Sequence, residues 1–110
     1  MTLDQLECFV AVARTGHFTR AAREIHLSQP SLSRQIATLE HDLGAVLFDR
    51  ARGNVTLSAA GEALFPVATR MLEDADGARR AVADIAGLRT GRLRLGATPS
   101  LCISVVAELL

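Results

Sequence analysis

Apolar positions along the first half of the chain fall into short stripes with helical spacing, separated by polar turns. Leu3, Leu6, Phe9, Val10 and Ala13 recur at intervals that fit one face of a helix. Thr2 precedes that stripe and Gln5 follows three residues later, the pairing of a capping box. Gly16 is placed to end the helix. A second, short helix is predicted with Thr19 as its cap and Ala21, Ala22 and Ile25 as its apolar positions. The paired alanines let another helix come close. Leu27 bridges to Ser28, the predicted cap of a third helix. On that helix Leu32, Ile36, Leu39 and Leu43 cluster within an arc of about 60°. Pro30 stands in its first turn, where a missing N–H costs nothing, and Gly44 stops it.

The period then changes. Leu47 and Phe48 read as buried. Asp49 to Ala51 form a predicted first strand, and Val55 and Leu57 alternate with Asn54 and Thr56 as in a half-buried second one. Arg52-Gly53-Asn54 supplies the turn of this hairpin. Ser58 caps a long helix predicted to reach about Leu88. Its residues Leu64, Ala68, Met71, Ala75, Ala78, Val82 and Ile85 step alternately by four and three, a heptad seam. Such a helix is about 45 Å long, too long to bury its seam against a domain of this size. A second copy of the chain is the expected partner; an intramolecular core helix is the alternative. Pro66 predicts a kink, and Gly77 and Gly87 weaken the helix further.

Beyond Gly91, Leu93, Leu95 and Ala97 alternate with Arg92, Arg94 and Gly96 as a strand. Thr98-Pro99-Ser100 reads as a turn and Leu101 to Leu110 as the start of another helix. One strand and one helix do not make a stable domain, so these residues read as the opening of a further one. The expected division is 1–57, 58–89 and 90–110.

Composition narrows the class. The 110 residues are 49% apolar without a low-complexity tract, as in globular proteins. The opening MTLDQLECFV carries two acids and no basic residue, unlike a secretory signal. No apolar run approaches the roughly 20 residues of a membrane span, so a cytoplasmic protein is expected. Cys8 and Cys102 have no metal-type spacing. Cys8 reads as a small core or surface residue; Cys102, after a Pro-Ser turn, leaves a redox role open as an alternative. His17, His26 and His41 are scattered. No carboxylate pair, activated nucleophile, phosphate loop or metal cluster is evident, and neither enzyme activity nor a cofactor is expected of this chain.

Net charge is zero, with twelve arginines and no lysine. Bulk charge therefore gives no support for nucleic-acid binding, and only the placement of charge can. The front of the third helix has that placement. Two helices joined across Ile25 to Ser28 make a helix-turn-helix, and the exposed front of the second of them carries Gln29, Pro30, Ser31, Ser33 and Arg34. Gln29 suits an adenine edge, or accepts and donates elsewhere on base edges, and Pro30 suits a thymine methyl. Ser31 and Ser33 are short enough to let backbone approach phosphates, and Arg34 reaches a phosphate or a guanine. Glu40 and Asp42 stand at the far end. Helix-starting preference alone accounts for Ser28 and Pro30, but poorly for Ser31, Ser33 and Arg34. Thr19 and Arg20 open the helix that crosses the DNA backbone in such a motif. Arg50 and Arg52, in the hairpin, suit phosphate or the minor groove, with solvated surface arginines as the alternative.

These features resemble a known family. Phe9 with Ala13, the run FTRAAREIHLSQPSLSRQIATLEHDLG, then LFDR and then LSAAG are similar to the N-terminal winged helix-turn-helix of LysR-type transcriptional regulators. The likeness spans Leu3 to Gly61. It implies a mainly α fold of three helices and a two-stranded wing, a long dimerisation linker helix, and the start of a truncated α/β effector domain at GRLRLGATPS. It implies sequence-specific binding to double-stranded promoter DNA by a dimer or tetramer, with RNA polymerase as a further partner. A small-molecule coinducer would need the effector domain that this sequence only opens. Family DNA contacts map onto Gln29, Pro30, Ser31, Ser33 and Arg34, and onto Thr19 and Arg20. The chain departs from the family at Ala37 and Thr38, where many members are basic. It departs again at Arg52-Gly53-Asn54, where many carry Gly-Arg-Arg. A competing reading is an interaction module that pairs with longer relatives through its long helix.

Overall fold

A computed structural model describes residues 1–50 and 54–89. Its elements are α1 (Leu3–Thr15), α2 (Phe18–Glu24), α3 (Gln29–Leu43), β1 (Phe48–Asp49), β2 (Thr56–Leu57) and α4 (Ala59–Arg89). The expected Ala51, Arg52 and Gly53 of the hairpin, and the strand, turn, helix and Cys102 expected after residue 89, lie outside the described residues. The chain forms two compact units, Met1–Leu72 and one from Glu73 onward.

Local chemistry sets the helix ends. The Thr2 hydroxyl accepts from the Gln5 backbone N–H at 3.1 Å, and the Gln5 side chain accepts from the Thr2 N–H at 3.0 Å, completing the capping box. Gly16 closes α1 in the left-handed region at φ 77°. The Ser28 hydroxyl accepts from the Ser31 N–H at 3.2 Å. At the end of α3, Gly44 takes φ 68°, and Ala45 N–H reaches back to the Glu40 carbonyl. This is the Schellman closure. The same closure ends α2, where Leu27 N–H bonds the Ala22 carbonyl. There the left-handed residue is His26, at φ 60°, a conformation that non-glycine residues seldom adopt.

Three expectations change. Thr19 does not cap α2: the helix begins at Phe18, with His17 as its extended cap residue and no side-chain cap bond. Starting there puts the Phe18 ring into the core, and burying that ring outweighs a hydroxyl cap. The first strand is Phe48–Asp49, not Asp49 to Ala51, and pairs antiparallel with β2 as Phe48 to Leu57 and Asp49 to Thr56. This register buries Phe48. Leu43, expected on the buried stripe, is 41% exposed because the last turn of α3 runs past the core. As expected, Pro66 lies inside the long helix α4.

The core of Met1–Leu72 gathers Leu6, Phe9 and Val12 from α1, Ala21 and Ala22 from α2, and Leu32, Ile36 and Leu39 from α3. Leu47, Phe48 and Ala68 complete it. All four phenylalanines join in one chain of rings. Phe18 meets Phe48 at 5.9 Å between centroids, Phe48 meets Phe9 at 5.4 Å, and Phe9 meets Phe65 at 6.4 Å. The start of α4 is stitched to the segment before β1. Ser58 N–H donates to the Leu47 carbonyl at 2.9 Å, and its hydroxyl donates to the Val46 carbonyl at 2.6 Å. The same hydroxyl accepts from the Gly61 N–H at 3.0 Å.

Gly61 is required by this stitch. A Cβ there would collide with the Leu47 carbonyl and stand 2.9 Å from Leu57 Cδ2. Gly61→Ala is therefore expected to lower unfolding free energy by about 1–3 kcal/mol, read as a fall in the urea midpoint; an unchanged midpoint would refute the close packing. Cys8 is buried. Burial first, then the charges of Glu7 and Asp4, push its thiol from 9.0 up to about 11. Because the folded value is the higher one, this contribution to stability is intact below pH 9 and drains as pH rises toward 11. Peptide-level alkylation at pH 8 should leave Cys8 unmodified in the native chain and label it in urea. Prompt native labelling would contradict this.

Candidate nucleic-acid interface

The front of α3 is a polar surface that the core positions. Leu32, Ile36 and Leu39 are fully buried and fix the rotation of the helix about its axis. That rotation turns Gln29, Pro30 and Arg34 outward, with Ser31 and Ser33 half-buried between them. The five expected residues therefore share one surface. Two side-chain bonds run along it. Gln29 Nε2 donates to the Ser33 hydroxyl at 2.9 Å, and the Arg34 guanidinium donates to the Ser31 hydroxyl at 3.3 Å. A shallow groove of about 270 Å³ lies beside Ser31 and Arg34, lined also by Gln35 and Thr38. No acid occurs from Ser28 through Leu39.

The acids behind this surface are occupied. Glu40 Oε2 accepts from the Leu47 N–H at 2.8 Å, fixing the exit from α3 toward the wing. Asp42 Oδ2 accepts from the amino terminus of Met1 at 2.8 Å. That bond, with the positive charge of the amine, holds the Asp42 carboxyl below its usual value.

Thr19 and Arg20 are exposed and line an open cleft of about 430 Å³ with His17, Phe18, Arg23 and Val55. The structure thus adds His17 and Arg23 to the two residues expected there. Arg23 follows Arg20 by three positions and so shares its helix face, a signal already present in the spacing. His17 gave no such signal, since its place depends on where α2 starts. Arg50 is not simply a solvated arginine: its guanidinium carbon lies 4.3 Å above the Phe18 ring centroid. Stacking of this kind engages the guanidinium face and leaves its N–H edge available. Arg52 lies outside the described residues.

The seam residues of α4 divide. Ala68 is fully buried within Met1–Leu72, and Leu64 and Met71 pack against the same core. Ala68 thus has no surface left for a second chain, contrary to its expected place in an intermolecular seam. Ala75 is half-buried, Ala78 is exposed and Val82 is 46% exposed, whereas Ile85 is buried. Asp76 and Arg80 form an exposed ion pair one turn apart. Among the described residues no helix is long and apolar enough to cross a membrane.

Comparison with known proteins agrees with this geometry. The profile of the bacterial regulatory helix-turn-helix proteins of the lysR family matches residues 3–62. The chain belongs to the LysR family. Among its LysR relatives, the HTH-type transcriptional regulator BudR of Klebsiella aerogenes is 45% identical over 100 residues, covering 91% of this chain and 70% of BudR. The SDS degradation transcriptional activation protein of a Pseudomonas species is 47% identical over 97 residues, covering 88% of this chain. This LysR chain spans only 32% of the length of that relative. The crystal structure of the CbnR_DBD–DNA complex superposes with a TM-score of 0.68 at 43% identity, covering 76% of this chain and 99% of that one. The winged helix-turn-helix followed by a long helix is thus the LysR DNA-binding architecture.

Proposed function

We propose that this LysR-family chain is a dimeric, sequence-specific reader of double-stranded DNA that regulates transcription. The observation that carries the reading is the acid-free, hydrogen-bonding front of α3, turned outward by three fully buried residues on its opposite face. In this reading Gln29, Pro30, Ser31, Ser33 and Arg34 enter the major groove, and Thr19, Arg20 and Arg50 meet the phosphate backbone. The DNA complex of a 43% identical relative supports the docking mode. Two copies pair through α4 over Ala75, Ala78 and Val82, the seam positions that retain accessible surface. Control by a small-molecule coinducer and contact with RNA polymerase belong, in the same reading, to an effector domain that residues 90–110 would open.

The direct test is footprinting on the intergenic DNA upstream of the coding sequence, titrated with salt. A protected inverted repeat whose occupancy falls as salt rises is expected; absence of a footprint would favour an interaction module instead. Arg34→Ala should weaken binding by about 1–3 kcal/mol at matched salt, and unchanged affinity would remove Arg34 from the interface. Val82→Asp should convert the dimer to monomer in sedimentation without changing helicity. A dimer that survives this substitution would place the interface elsewhere.

A further inference from the structure

The Phe18 ring meets two side chains from the wing. Phe48 reaches it in a T-shaped contact at 5.9 Å, and the Arg50 guanidinium carbon lies 4.3 Å from its centroid. We propose that Phe18 is a positioning residue, holding the Arg50 guanidinium where it joins Thr19 and Arg20 on one surface for DNA backbone phosphates. The proposal rests on the DNA-binding reading above. It adds the contact that ties an arginine of the wing to the phosphate contacts of α2.

Phe18 immediately precedes Thr19 and lines the same cleft as Thr19 and Arg20. An arginine held over its ring therefore stands beside those two residues, although it is remote from them along the chain. The ring is a fixed support, since it is buried and packs in the core against Phe48. Arg50 is exposed and leans on that support.

The kind of contact matters. The negative face of an aromatic ring attracts a cation without offering it a lone pair. Among the described residues Arg50 has no ion pair. The ring thus fixes the position of the charge and leaves outward N–H donors for phosphate oxygens. Arg34 differs, because it already donates to the Ser31 hydroxyl. An arginine side chain is rich in rotamers, and a phosphate contact has to freeze them. The stack on Phe18 freezes part of them before DNA arrives.

Two measurements on the full 110-residue chain test the proposal. In the free protein the Arg50 δ-methylene proton resonances should lie upfield, within the shielding region of the ring. Random-coil positions would overturn the stack itself. The second measurement is a double-mutant cycle on the footprinted duplex. One arm is Arg50→Gln, which should lower the slope of log affinity against log salt by about 0.9, the contribution of one phosphate, on every duplex alike. The other arm replaces Phe18 with pentafluorophenylalanine, which keeps the ring in the core and reverses the charge of its face. It should weaken binding about two- to fivefold, the range of an exposed cation–π contact, and only while Arg50 is present. Phe18→Leu, which removes the ring face altogether, should repeat that dependence on Arg50. An equal loss with and without Arg50, or no loss with it, would overturn the positioning role. A salt slope unchanged by Arg50→Gln would overturn it too, by taking Arg50 off the phosphate surface. In each of these cases a loss of binding in Arg34→Ala would leave the DNA-binding reading standing. Absence of any footprint with the unsubstituted chain would overturn both.

Discussion

The chain of phenylalanine rings from Phe18 through Phe48 and Phe9 to Phe65 is the contact on which the winged unit depends. The chain has no tryptophan or tyrosine, so these four rings are its entire aromatic content. Each ring comes from a different element: α2, β1, α1 and α4. Aromatic pairs at these separations contribute about 0.5–1.5 kcal/mol each beyond the area they bury. Their larger effect is geometric. Phe18 sets where α2 begins, and Phe48 sets the register of the wing. Phe65 draws the first turns of α4 into the same core, which is why the compact unit extends to Leu72.

The interface inherits its order from this core. With Phe18 buried, His17, Thr19 and Arg20 are left at the rim of one cleft. Arg50, two residues after Phe48, stacks over the Phe18 ring itself. A wing of two residues per strand would be a weak platform alone. It is steadied here by ring stacking, by the Val55 N–H donating to the Gly16 carbonyl at 3.3 Å, and by the Ser58 bonds to Val46 and Leu47. Electrostatics follow the same logic. The chain is neutral overall, yet the front of α3 is free of acid. Glu40 and Asp42 are engaged behind it, one with the Leu47 N–H and one with the amino terminus.

Much of this was legible in the residues because it is decided within a few positions of chain. Thr2 with Gln5, Ser28, Gly16 and Gly44 mark helix ends through hydrogen bonds spanning one turn. Leu32, Ile36 and Leu39 reveal the inward face of α3 by spacing alone, and that face dictates which residues point out. The density of the LysR pattern from Leu3 to Gly61 identified the architecture for the same reason, since its motifs are the local determinants of the turn and the wing.

What the residues did not reveal depends on partners distant in sequence. Thr19 is a better cap than His17, yet α2 starts at Phe18 because the ring has a pocket waiting, built by Phe48 thirty residues later. Ala68 fits a heptad seam, and only the folded unit shows its surface already covered. The clamp of Glu40 on Leu47, the tie of Asp42 to the amino terminus and the stacking of Arg50 on Phe18 have no periodic signature. A period records which side of an element is apolar. It carries no information about which neighbour covers that side, and that choice is made by packing.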